Sequence, residues 1–192
     1  MEKDGKKRAR IIEAAIEVFC RAGFDGASVA EIAAKADVGK GTLYLYFDSK
    51  VSLFQEVYRV CTAERAQACV QDVEGVSGAI DKLCLRLRNG TAWEMKYPLK
   101  NKLGRLYLAD PRFGEKDRND VLSMEVAGVT QILEDGIRSG ELRGMPVKLM
   151  EEMFYRLGSA VYYYIEDHPQ ELHNEGLWQE VEKSIRGCLG VW

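Results

Sequence analysis

The chain has 192 residues, 46% of them hydrophobic, and a net charge of −3. That balance supports a buried core in one or two domains, and it argues against indiscriminate polyanion binding, so any nucleic-acid contact needs a local basic patch. No apolar run of the roughly 18 residues a spanning helix requires is present, nor a secretory leader pattern; a cytoplasmic protein with no membrane partner is expected.

Positive charge gathers at the front, where Lys3, Lys6, Lys7, Arg8 and Arg10 stand against Glu2 and Asp4. Such an arm suits a phosphate backbone or a minor groove, and suits a solvated terminus equally. Ile12, Ala15, Ile16 and Phe19 then recur at i, i+3, i+4 and i+7, which predicts an amphipathic helix over about Lys6 to Ala22, stopped by Gly23. Ser28 and Glu31 have capping-box spacing for a second helix, continued by Ile32 and Ala33 and ending near Ala36. Asp37-Val38-Gly39 is short enough only for a tight turn. Asp tolerates a left-handed backbone better than most residues, and Gly39 is an acceptable cap for a third helix.

The next eight residues, Lys40 to Phe47, are the most informative in the chain. Leu43 and Phe47, four apart, face inward together, while Thr42 and Tyr46 project outward beside Lys40 and Leu45. A groove would meet hydroxyls, a cation and an apolar tip. A supporting helix, a helix, a turn and a short helix make the plan of a helix-turn-helix reader, whose second helix enters a major groove.

At these residues the chain resembles the TetR/AcrR family of bacterial transcription regulators. The match runs from about Arg10 to Phe54, through Ile32-Ala33, the turn at Ala36 to Val38, the run Lys40-Gly41-Thr42-Leu43-Tyr44-Leu45-Tyr46-Phe47, and Ser49-Lys50 with Leu53-Phe54. The resemblance implies that Lys40, Gly41, Thr42, Tyr44, Leu45 and Tyr46 approach bases or phosphates and that Lys50 meets a phosphate. The chemistry is consistent with those roles. Gly41 removes a side chain where backbone and DNA come close. The tyrosine hydroxyls donate to phosphate oxygens, the lysines displace counterions, and Leu45 offers apolar contact to a thymine methyl. Val29 and Ala30 depart from the family's frequent Thr or Arg, so anchoring there falls to Ser28 and backbone amides. Asp37 replaces a usual turn glycine. Val51 and Ser52 replace a frequent acidic pair, so a fourth helix is expected to rely on Ser49 as its cap without a full capping box.

That fourth helix is predicted over Lys50 to Cys69. After a break at Gly75 to Gly78, Ile80, Leu83, Cys84 and Leu87 form a stripe, with Trp93 before Pro98. Leu103, Leu106 and Tyr107 predict a sixth helix ended by Asp110-Pro111. A seventh is predicted from about Asn119 to Arg138, carrying Val121, Met124, Val129, Ile132, Leu133 and Ile137. Met150, Phe154, Leu157, Val161 and Ile165 mark the eighth, and Leu177, Val181, Ile185 and Leu189 the last. The fold expected is all-α with about nine helices: a DNA-binding domain over residues 1–50 and an effector-binding and dimerisation domain over 51–192.

Intrachain core explains these stripes residue by residue, but the resemblance implies a homodimer through the last two helices of each subunit. On that basis Leu157, Val161, Leu177, Val181, Ile185 and Leu189 are the expected interface, and two readers would address a palindromic operator. Trp93, Tyr107, Met124 and Tyr162 are candidates to line a site for a small, apolar effector.

No nucleophile elbow, phosphate-cradling loop or cofactor motif is present, so an enzyme is the weaker reading. His168 and His173 near Glu166, Asp167 and Glu171 make at most a weak metal site, and a solvated loop is the better account. The five cysteines form no Cys-x-x-Cys pair, and most are expected as small buried apolar residues, with no disulfide framework. A ligand carrier or interaction module that has lost DNA binding is the remaining alternative; salt-insensitive binding would distinguish it.

Overall fold

The computed structural model describes residues 2–113 and 128–191. Among them are nine α-helices and no strand: α1 (Glu2–Gly26), α2 (Val29–Lys35), α3 (Lys40–Tyr46), α4 (Lys50–Cys69), α5 (Ala79–Lys96), α6 (Pro98–Ala109), α7 (128–139), α8 (Val147–Asp167) and α9 (Glu175–Leu189). The all-α class expected from the periodicities is the one the chain adopts. Val121 and Met124, predicted on the seventh helix, lie outside the described residues.

The helices pack as two units. One gathers the chain up to Ala63 together with α6; the other gathers Glu64–Lys96 and the chain from residue 128 onward. The sequence-based boundary falls at residue 50. Packing divides the chain elsewhere, because α4 serves both units and α6 returns to α1.

An aromatic cluster forms the centre of the first unit. Phe54 lies 4.6 Å from Phe19 and 5.4 Å from Tyr107 between ring centroids, and Tyr107 stacks on Tyr58 at 3.9 Å and on Phe113 at 4.3 Å. Each such pair adds about 0.5–1.5 kcal/mol beyond the area it buries, so α1, α4 and α6 hold one another firmly. On α1 the expected stripe is buried, with Ile12, Ala15, Ile16 and Phe19 all inside. The helical path breaks at Gly23, whose φ of 69° only glycine adopts at little cost. Glu56 ties α4 to α1 through Arg8 and also meets Arg59. The Arg59 guanidinium, with Arg8 behind it, holds the Glu56 carboxyl below the usual range despite its partial burial.

Two ion pairs, Glu17 with Lys35 at 2.7 Å and Arg21 with Glu31, lay α2 along α1. The second explains a departure from expectation. Ser28 is the N-cap of α2, but its side chain makes no cap bond, and the reciprocal half of the box is also missing because Glu31 is turned towards Arg21 rather than back to the helix start. At the other end the chain closes with paired reverse bonds, Val38 N–H to the Ala33 carbonyl at 3.0 Å and Asp37 N–H to Ala34 at 3.1 Å. This is a Schellman arrangement, and its pivot Asp37 has φ 53°, the left-handed conformation the turn was expected to need.

The start of α4 differs from expectation too. Ser52 N–H donates to Ser49 Oγ at 3.0 Å and Ser49 N–H donates to Ser52 Oγ at 2.9 Å, so two serines build the reciprocal box usually made with a carboxylate.

In the second unit Leu83 and Leu87 of α5, Val129 and Leu133 of α7, Met150, Phe154 and Ile165 of α8, and Val181, Ile185 and Leu189 of α9 form one core. Glu141, in the turn after α7, accepts the N–H groups of Ala79 at 2.6 Å and Ile80 at 3.1 Å, satisfying orphan donors at the start of α5. Helix α9 starts on a local cap, Asn174 Oδ1 accepting from Gly176 N–H at 2.9 Å.

The left-handed pivot has a measurable cost. Asp37→Val is expected to lower unfolding stability by about 1–2 kcal/mol in urea denaturation, whereas Asp37→Gly stays within about 0.5 kcal/mol of the parent.

Candidate nucleic-acid interface

The turn at Asp37 delivers the chain to α3 with Gly39 as N-cap, and α3 then presents two different faces. Leu43 is wholly buried and Phe47 nearly so, which seats the helix on the first unit. Lys40, Gly41 and Tyr44 are exposed, and Leu45 is 85% exposed. Thr42 and Tyr46, expected to project freely, are half-buried on the flanks between these faces. Their ring and methyl groups therefore contribute packing as well as an outward edge.

Gly41 is informative through what it lacks. A Cβ added there would meet nothing within 4 Å, and its backbone is not in the left-handed region. Neither packing nor conformation within the chain demands glycine there. The first turns of α3 and α4 carry no acidic residue. Ser28, at the start of α2, is exposed and its hydroxyl is not spent on capping.

Lys50 has an internal occupation that the motif did not disclose. Its Nζ donates to the carbonyls of Ala27 at 3.1 Å and Asp25 at 3.3 Å, and it lies 4.6 Å from the centroid of the Phe24 ring. Arg112, beyond the end of α6, lies 4.4 Å from the same ring and pairs with Asp25 and Asp110. Its guanidinium holds both carboxyls below their ordinary range. The turn before α2 is thus gripped by two cations, one from the start of α4 and one from the end of the α6 segment. Sequence spacing gave no sign of this, because Arg112 is far from Asp25 in the chain.

The basic front is also partly committed. The chain is already helical from Glu2; Arg8 meets Glu56 and sits 5.7 Å from the Phe47 ring, and Arg10 reaches Asp37. Arg8 and Arg10 thus fasten α1 to its own unit.

The candidate effector residues do not share one unit. Tyr107 lies in the aromatic cluster of the first. Trp93 and Tyr162 are buried in the second, where the Tyr162 hydroxyl donates to Glu166 Oε1 at 2.6 Å, and Met124 is outside the described residues. Of the residues expected at a subunit interface, Val161, Val181, Ile185 and Leu189 are buried in their own chain's core, with Leu157 and Leu177 half-buried against it. The apolar stripes of α8 and α9 are already covered by α5 and α7. The opposite side of α8 exposes Ser159, Ala160 and Tyr163. His168 stacks on Tyr164 at 4.6 Å, and its Nδ1 lies 2.9 Å from the Tyr164 carbonyl, an occupation local to the end of α8.

Residues 11–57 match the family described as bacterial regulatory proteins, tetR family. The fatty acid metabolism regulator protein of Bacillus subtilis is 27% identical over 159 residues, 81% of either chain. Among solved structures, a candidate tetR-family transcription regulator from Shewanella sp. PV-4 superposes with a TM-score of 0.86 at 26% identity, covering 97% of this chain and 99% of that one. The transcriptional regulator FadR from Bacillus subtilis, solved in complex with stearoyl-CoA, gives a TM-score of 0.79 at 24% identity, covering 92% and 96%.

A glycine that the fold does not require lets folding and recognition be tested separately. Gly41→Ala is expected to leave the melting midpoint unchanged or to stabilise the chain by up to about 1 kcal/mol, while affinity for duplex DNA carrying its binding site falls about tenfold or more in an anisotropy titration. Unchanged affinity would remove Gly41 from the interface.

Proposed function

The chain belongs to the tetR family of bacterial transcription regulators, and we propose that within it this protein is a homodimeric repressor released from a palindromic operator by a small, largely apolar effector. Its family consists of DNA-binding regulators rather than enzymes. The observation that carries the reading is the division of α3, with Leu43 and Phe47 buried and Lys40, Gly41, Tyr44 and Leu45 turned outward.

In this reading residues 1–50 recognise DNA. Lys40, Ser28 and the Thr42, Tyr44 and Tyr46 hydroxyls address phosphates or base edges, and Leu45 addresses a thymine methyl. Lys50 contributes indirectly, by holding the turn that presents the start of α2, and adds its charge to the same surface. Residues 51–192 bind the effector and pair two subunits. One seven-residue reader covers too little DNA for useful selectivity; two copies related by a twofold axis double the contact and require a repeat of inverted sense about one helical turn apart, or somewhat more.

The effector class is supported by the buried aromatic residues and by the relatives, one named for fatty acid metabolism and one solved with stearoyl-CoA. An acyl chain suits an all-helical, apolar interior. Release is a matter of linkage: an effector that prefers a subunit arrangement mismatched to the half-site spacing lowers operator affinity by the same factor by which DNA lowers effector affinity. No helix among the described residues is long and apolar enough to cross a membrane, which is compatible with work in the cytoplasm.

Footprinting on the DNA upstream of its own gene should reveal a protected palindrome. The logarithm of the affinity should fall linearly with the logarithm of salt concentration, with a slope near −0.9 per phosphate contacted. Tyr46→Phe and Lys50→Ala should each weaken binding about five- to tenfold without unfolding the protein, and substitutions at Leu45 should change which half-site is preferred. Binding indifferent to salt, or protection lacking twofold symmetry, overturns the reading.

A further inference from the structure

The turn that leads into α2, Gly23-Phe24-Asp25-Gly26-Ala27, has one large apolar side chain, that of Phe24, and two residues with no side chain at all. So bare a stretch does little to fix its own path. What fixes it comes from elsewhere in the chain.

Arg112, beyond the end of α6, uses both edges of its planar head. Nε and Nη2 donate to the carboxylate of Asp110 at 2.8 and 2.5 Å, and Nη1 and Nη2 donate to the carboxylate of Asp25 at 2.5 and 3.1 Å. The same guanidinium lies against the Phe24 ring. Two forked pairs and a ring contact fix direction as well as distance, which a lysine ammonium does not.

Exposed ion pairs usually contribute little, because two mobile side chains must be stilled for one contact. Here most of that ordering is complete before Asp25 is met. The Asp110 side chain is only 11% exposed and also accepts the Arg112 N–H at 3.0 Å, while Phe113 is buried and stacked on Tyr107. The Arg112 head is thereby presented as a set fork, and Asp25, with its side chain 82% exposed, is the member it holds. Ser28 follows Asp25 by three residues and opens α2, on which α3 is seated.

We propose that Arg112, which lies outside residues 1–50, is a positioning residue for DNA recognition: without touching the duplex it holds the turn at Asp25 on the path that aims α2 and α3. This rests on the DNA-recognition reading above and extends it to a residue which that reading leaves out.

The test uses the full chain and a duplex spanning the region upstream of its own gene, with affinity from anisotropy and amide exchange followed by mass spectrometry. Arg112→Gln, a change at an exposed position, should fold, exchange faster at residues 24–28, and bind the duplex about fivefold more weakly. Arg112→Lys keeps the charge without the fork and should be weakened nearly as much. Because Arg112 acts through Asp25, Asp25→Asn should weaken binding likewise, and the double variant should be no worse than either single one. A residue that meets no phosphate leaves the salt slope at the parent's value, whereas loss of a direct contact would make it shallower by about 0.9. Parental affinity in Arg112→Gln or Arg112→Lys, unaltered exchange in the turn, additive losses in the double variant, or a shallower salt slope overturns the assignment while leaving the repressor reading in place. A parent protein that binds no DNA overturns both.

Discussion

Helices of seven residues do not persist alone in water, because nucleating a first turn costs more than so few hydrogen bonds return. Both α2 and α3 are of this length, each about 10 Å long, so their existence depends on what they bury. Ile32, Ala33 and Ala36 on one, and Leu43 with Phe47 after the other, are nearly or wholly removed from solvent. Full burial of a leucine, isoleucine or phenylalanine contributes about 1.5–3 kcal/mol, more than a typical cap at about 1 kcal/mol. Seating therefore outweighs capping here, and α2 forms although Ser28 makes no cap bond. The seating runs in sequence, α2 on α1 and α3 on α2.

Charge has a different task in each unit. In the first, the ion pairs linking α1 to α2 lie in water, where each contributes at most about 1 kcal/mol. Their value is orientation, as with Lys50 and Arg112, which grip a turn that has few apolar side chains to fix it. In the second, arginine and glutamate are taken into the interior, where an ill-matched group is costly and geometry must be fully specified.

Much of this was legible in the sequence where one helix and its own periodicity settle the matter. The bounds of α4 at Lys50 and Cys69, the stop at Gly23, the left-handed Asp37 and the cap at Gly39 all obey local steric rules. Outcomes decided by a distant partner were not legible. Glu31 has the right spacing to close a box with Ser28, but Arg21 competes for its carboxylate. The start of α5 is satisfied by Glu141, some sixty residues later in the chain. The stripe Val181, Ile185 and Leu189 announces burial without saying by whom, and α5 and α7 of the same chain supply the cover. The carbonyls that engage Lys50 belong to a turn whose path no periodicity describes.

The serine pair at the start of α4 has a consequence for the field around the amino end of that helix. A glutamate at position 52 would close the same box more firmly, but would station a full negative charge over the amino end of a twenty-residue helix. Ser49 and Ser52 satisfy the amides with neutral oxygen, so the box itself sets no charge against the helix dipole there. The chain gives up some rigidity at that joint and spares it an added negative charge.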